Sequence, residues 1–160
     1  MATQRRQSCI RRVLSVVGVT VALVLGGSAA AWAQTPAERA TYLQYTASMT
    51  EFLAATGEAP FDWGSDGCTT PNVKDLVKWN QTFENACRRH DFGYGNFGKG
   101  GVVEANPLNE TVRAGIDGKF RQDMQDACRT MSLSKRLQCL AVASAYYNVV
   151  RSVGKYAFYS

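Results

Sequence analysis

Four cysteines, Cys68, Cys87, Cys128 and Cys139, constrain this chain more than any other feature. All four lie beyond residue 33, and the fifth, Cys9, lies before it. The segment before residue 34 reads as an export signal. Arg11-Arg12 precede an apolar run from Val13 to Leu25, and Gly26, Gly27 and Ser28 follow, then the small-residue site Ala31-Trp32-Ala33. A basic start, an apolar centre and a small-residue cleavage site define a secretory signal peptide. The apolar run falls short of the roughly 20 residues that a spanning helix needs. The expected organisation is therefore a signal peptide over 1–33 and one secreted, extracellular domain over 34–160. An even cysteine count in a small exported domain implies two disulfides. Four cysteines allow three pairings. The sequential one, Cys68–Cys87 with Cys128–Cys139, joins neighbouring segments, and each bond would add about 3 kcal/mol. Zinc is the competing use, but the spacings form no zinc motif and the chain has one histidine.

The formal net charge of +5 invites a nucleic-acid reading until the charges are located. Arg5, Arg6, Arg11 and Arg12 belong to the leader, where there are no acids. From Gln34 onward, fourteen basic residues meet thirteen acidic ones. That balance leaves no strong basic face for phosphate backbones.

The domain reads as helical throughout. Thr35-Pro36-Ala37-Glu38 combines an N-cap, a first-turn proline and a capping-box acid. Tyr42, Tyr45, Met49, Phe52 and Leu53 continue at helical steps, predicting one helix over about 36–55. Gly57, Pro60, Gly64, Gly67 and Pro71 mark a loop over 57–72. Phe83, Cys87, His90, Tyr94 and Phe97 predict a second helix ending in Gly98, Gly100 and Gly101. Asn106-Pro107 opens a third, with Val112, Ile116, Phe120, Met124 and Cys128 on one face. A last helix starts near Ser134. No sustained period-two alternation occurs. The fold class is all-α: a small disulfide-linked bundle of about four main helices.

One constellation stands out on this frame. His90 is followed at once by Asp91, with Cys87 three residues before it and Tyr94 four after, on the same helical face. An imidazole can take a proton from water near neutral pH, and the adjacent carboxylate can hold a cation. In the loop Phe61-Asp62-Trp63-Gly64-Ser65-Asp66-Gly67-Cys68, Asp62 and Asp66-Gly67 echo an EF-hand, but position twelve would be Val73, so that motif is excluded. Asp66 and a neighbouring carbonyl still suit a hard cation such as Ca²⁺ if the loop meets Asp91. Asp117 borders the apolar stripe of the third helix. A carboxylate pointing inward there needs a partner, and the lone histidine is a candidate.

Cys87-Arg-Arg-His90-Asp91-Phe-Gly-Tyr94, preceded by Phe61-Asp62-Trp63-Gly-Ser-Asp66-Gly67-Cys68, closely resembles the secreted bacterial and fungal phospholipase A2 family. Ile116-Asp117-Gly-Lys-Phe120-Arg-Gln-Asp123-Met124 is similar to it as well. The resemblance runs from about Pro60 to Cys139. It implies a phospholipase A2-like fold in which two antiparallel helices carry the active site. It further implies His90 as general base, Asp117 as its orienting carboxylate, Asp66, the Gly67 carbonyl and Asp91 as Ca²⁺ ligands, and Tyr94 in support. The implied reaction is Ca²⁺-dependent hydrolysis of the sn-2 ester of glycerophospholipids by an activated water, at a lipid interface that the protein meets peripherally. No nucleic acid and no protein partner is implied. The absence of a G-x-S-x-G elbow argues against a serine lipase. The alternative from another class is a secreted phospholipid- or receptor-binding protein or toxin that keeps the scaffold without hydrolysis. Val73, Leu76, Val77 and Trp79, with interleaved lysines, form a segment expected either to rim the site toward lipid or to pack as a short helix on the core.

Overall fold

The computed structural model describes residues 34–69, 74–105 and 107–160. The signal peptide expected over 1–33 lies outside the described residues, as do Val73 and Asn106. The elements are α1 (Pro36–Thr41), a π-helical stretch (Tyr42–Thr46), α2 (Met49–Ala54), α3 (Lys74–Val77), α4 (Asn80–Phe97), α5 (Glu110–Ala127), α6 (Leu133–Val153) and α7 (Lys155–Tyr159). Among the described residues there is no strand.

The start at Thr35 is the expected capping box: its side chain accepts from the Glu38 amide, and Glu38 reaches back to the Thr35 amide. The single helix expected over 36–55 is broken instead. After the π-helical stretch the backbone extends at Ala47, and Ser48 opens α2 with a second reciprocal capping box to Glu51. A Ser-x-x-Glu signature restarts a helix as well as starting one. Further along, α5 begins later than Asn106-Pro107 predicts. Its N-cap is Asn109, whose side chain accepts from the Val112 amide at 3.0 Å.

Helices α4 and α5 run antiparallel, since their facing residues pair in opposite order. Tyr94 and His90 meet Asp117, His90 also meets Phe120, and Arg89 meets Asp123. Helix α6 returns antiparallel to α5, with Arg151 against Asp117 and Tyr146 against Phe120. The disulfide Cys128–Cys139 closes the α5–α6 turn, and Cys68–Cys87 ties the loop before α3 to α4.

Two apolar clusters hold the helices together. One gathers Phe83, Phe120, Met124, Tyr146 and both disulfides; the other gathers Leu43, Phe52, Phe92, Ile116 and Phe158. Fully burying each such side chain contributes about 1.5–3 kcal/mol. Between the clusters α4 and α5 bring His90 and Asp117 to the waist of the bundle. The described part of the segment expected either to rim the site or to pack on the core is partly packed on the core. Leu76 is buried, Val77 is exposed, and Trp79 stacks on Phe83 with ring centres 6.1 Å apart.

Close approach of the π-helical stretch to the helix pair depends on Gly93. A Cβ there would lie 2.6 Å from Ile116 Cγ2 and 2.8 Å from Gln44 Oε1, and both side chains are fully buried. Gly93→Ala is therefore expected to destabilise by about 1–3 kcal/mol. Gly118→Ala, exposed on α5 with nothing near its Cβ position, is expected to stabilise by about 0.5–1 kcal/mol. Thermal or denaturant unfolding of the two variants reads both signs.

Candidate active site

One helical turn of α4 supplies three of the expected side chains. His90 and Tyr94 share a face, and the Cys68–Cys87 bond anchors the turn before them. The imidazole lies between two rings, with Tyr94 at 4.2 Å and Phe120 at 4.7 Å between centres. Its Nε2 is 2.9 Å from Asp117 Oδ1. An ionised carboxylate can only accept, so Nε2 carries a hydrogen, and in the neutral imidazole Nδ1 keeps its lone pair. Nδ1 is 3.9 Å from Asp91 Oδ1, beyond hydrogen-bond reach.

Asp117 is fully buried. Its Oδ1 also accepts the Tyr94 hydroxyl at 2.8 Å, and its Oδ2 accepts Arg151 at 2.6 Å and Arg113 at 3.3 Å. Burial works to raise the pKa of this carboxyl, but His90, Arg151 and Tyr94 outweigh it and the net shift is downward. The His90 imidazole shifts upward: burial opposes its charge, and the bonds to Asp117 and the nearness of Asp91 overcome that.

The loop reaches the same place from the other side. Asn96 fixes its entry by accepting from the Asp62 amide at 2.9 Å and donating to the Asp62 carbonyl at 2.8 Å. Asp62 itself caps the turn, accepting from the Gly64 amide at 2.8 Å. Ser65 donates to Asp91 Oδ2 at 2.5 Å and accepts from the Gly67 amide at 3.1 Å. Gly67 has φ +73°, a conformation that favours glycine. The Asp66 pKa is raised, first by burial and then by the charge of Asp91. The two carboxylates Asp66 and Asp91, with loop carbonyls, form an oxygen donor set that suits a hard cation. Among the described residues no trio of His, Cys, Asp and Glu side chains is grouped to hold a metal, so any cation here would rely on backbone or solvent oxygens as well.

His90, Asp91, Asp66, Gly67 and Tyr94 line one cavity of about 280 Å³. Its other wall is apolar and comes from α6 and α7, through Val149, Val150, Val153 and Ala157. Asp117 stands behind His90 and outside the lining. A larger groove of about 580 Å³ runs elsewhere between α4 and α5 past the buried Arg89–Asp123 pair, and it contains no histidine.

A family model described as prokaryotic phospholipase A2 matches residues 40–154. The chain belongs to that family. Secretory phospholipase A2 of Beauveria bassiana (strain ARSEF 2860) is 36% identical over 96 residues, covering 60% of this chain. The match spans 45% of that relative's length.

Three residues in this phospholipase A2-family chain escaped the sequence reading. Arg113 stands four before Asp117, a spacing that puts both on one helix face, so its signal was available. Ser65 was visible in the loop with nothing to assign it a partner. Arg151 reaches Asp117 from α6, and no local spacing reports that contact.

The depressed Asp117 pKa links stability to pH. Ionised Asp117 favours the folded state at every pH above its ordinary value of 3.8, and the contribution disappears as pH falls through its lower folded-state value. The melting-temperature advantage of the wild type over Asp117→Asn is therefore expected to shrink as pH falls below about 4. Calorimetry across that range checks it.

Proposed function

We propose that the chain is a secreted, Ca²⁺-dependent phospholipase A2 that hydrolyses the sn-2 ester of glycerophospholipids with a water activated by His90. The observation that carries this reading is the His90–Asp117 pair, which leaves Nδ1 lone and directed away from its partner in a cavity that also holds Asp66 and Asp91. Residues 1–33 serve as the export signal in this reading, and 34–160 as the catalytic domain.

The proposed chemistry divides among the chain's own groups. His90 Nδ1 takes a proton from a water in the cavity, and that water attacks the ester carbonyl. Asp117 keeps the imidazole in the Nε2–H tautomer and stabilises the charge it gains. The proton then passes from Nδ1 to the departing alkoxide, so base and acid are one group. Tyr94 restrains the carboxylate and packs against the imidazole. The apolar α6–α7 wall takes acyl chain and excludes water. Asp66, the Gly67 carbonyl and Asp91 would hold Ca²⁺, and Ser65 would orient Asp91. When bound, the cation supplies a Lewis acid for the ester carbonyl and a charge for the phosphate.

His90→Asn is expected to keep the fold and lose about 10²- to 10⁴-fold or more in rate. Asp66→Asn and Asp91→Asn are expected to weaken Ca²⁺ binding and activity together, since each removes one of few negative ligands. Fatty-acid release with Ca²⁺ or chelator, beside calorimetric Ca²⁺ titration of each variant, reads both. Near-normal turnover by folded His90→Asn would end the general-base assignment.

The lipid surface is proposed to meet the cavity mouth at the α6–α7 junction. Tyr156 is 70% exposed there, beside exposed Val153 and Tyr159. The Lys155 ammonium lies 5.1 Å from the Tyr156 ring centre. Amphipathic rings with a nearby cation suit the headgroup boundary. Tyr156→Ala is expected to reduce turnover on anionic vesicles at least several-fold more than on dispersed short-chain lipid. Equal losses on both would remove this rim from the interface.

A further inference from the structure

Among the described residues, the buried charge cluster around Asp117 holds more than the His90 partnership needs. Arg151 Nη1 and Arg113 Nη1 both donate to Oδ2, the oxygen that His90 does not use. Arg113 also donates to the carbonyls of Val150 at 3.2 Å and Arg151 at 3.3 Å. Glu110 pairs with both guanidiniums. Two arginines and two carboxylates thus balance in one network that joins α5 to the last turns of α6.

The two arginines do different things. Arg113 is 3% exposed and supports α6 carbonyls as well as Asp117, so its removal would disturb the fold. Arg151 is partly exposed, with its side chain at 24%, and makes the shorter bond to Oδ2. Its neighbours Val150, Val149 and Val153 belong to the cavity wall. One turn of α6 therefore forms the apolar wall and grips the carboxylate behind the imidazole.

We infer that Arg151 is a positioning residue: it fixes the plane of the Asp117 carboxylate so that Oδ1 stays on His90 Nε2, and it couples the seating of α6 to the orientation of the imidazole. This rests on the reading of His90 and Asp117 as the reacting pair. A fully buried carboxylate with one oxygen released would turn toward the remaining donor, Arg113, and carry Oδ1 off the imidazole line. Arg151 does not line the cavity, so substrate binding is left to other groups.

The test is a double-mutant cycle on dispersed short-chain phospholipid at saturating Ca²⁺. Arg151→Met keeps the stem and removes the donor, and Arg151→Lys restores one charged donor. In the wild-type background Arg151→Met is expected to lower kcat about tenfold or more, with KM and Ca²⁺ affinity within about twofold. Arg151→Lys should recover most of the loss. In the Asp117→Asn background Arg151→Met should change kcat by less than about twofold, because the residue through which it acts is already altered. An equal loss in both backgrounds, or no loss in the wild type while Asp117→Asn is impaired, overturns the inference and leaves the reacting pair standing. Wild-type kcat in Asp117→Asn overturns the pair, and the inference with it. If Arg151→Met does not fold, Arg151→Lys and Arg151→Gln in the same two backgrounds measure the same coupling, with Gln expected to lose more than Lys in the wild type alone.

Discussion

A carboxylate with no solvent contact must find all its partners inside the protein, and Asp117 finds them on three helices. His90 and Tyr94 come from α4, Arg113 from α5 and Arg151 from α6. Burying such a charge alone would cost far more than one helix contact returns. The charge is tolerated because the three long helices converge on it, and their convergence is fixed in part by it. Apolar packing on either side closes the bundle: the Phe120 and Tyr146 cluster below, the Phe92 and Ile116 cluster above. The waist between them is where directional bonds decide the registry of α4 against α5 and of α5 against α6.

The loop that faces this waist is anchored to α4 by packing, hydrogen bonds and a covalent link. Phe61 and Trp63 pack against Phe92, Asn96 holds the backbone of Asp62, and the disulfide holds Cys68. Between those anchors Ser65 bridges Asp91 to the Gly67 amide. Asp66 and Asp91 line the same cavity, where burial first and the charge of Asp91 second raise the Asp66 pKa.

How much of this was legible in the sequence depended on the range of each interaction. Capping at Thr35, the glycine-terminated α4 and the apolar stripes of α4 and α5 are local, and the all-helical bundle follows from them. Local signals also misled where two competed. The helical spacing of Met49, Phe52 and Leu53 predicted continuity, but Ser48 and Glu51 form a cap and the backbone breaks before them. On the site, the residues one and four places from His90 could be set on one turn from spacing alone. Asp117 required a guess that an acid beside Ile116 points inward. Arg151 lay beyond reach, because side-chain periodicity within α6 says nothing of which α5 residue it meets. The segment around Leu76–Trp79 stayed open for a related reason. Tryptophan and lysines read equally as a lipid rim or a packed turn, and the contact that ties Trp79 to Phe83 on α4 is not written in their spacing.

The junction at Gly154 bears on the size of the cavity. A Cβ there would come within 2.5 Å of the Val150 carbonyl oxygen and 2.7 Å of the Tyr94 hydroxyl. The chain turns at that point into α7, whose Phe158 is buried beside Tyr94 and whose carbonyl receives the Lys99 amide. The end of the slot is thus a bend in one continuous rod, spiked into the protein by an aromatic ring a few residues later. Lengthening the slot would mean drawing that ring out of the core, so its reach is a fixed gauge set by covalent connectivity and not a flap that yields to whatever enters.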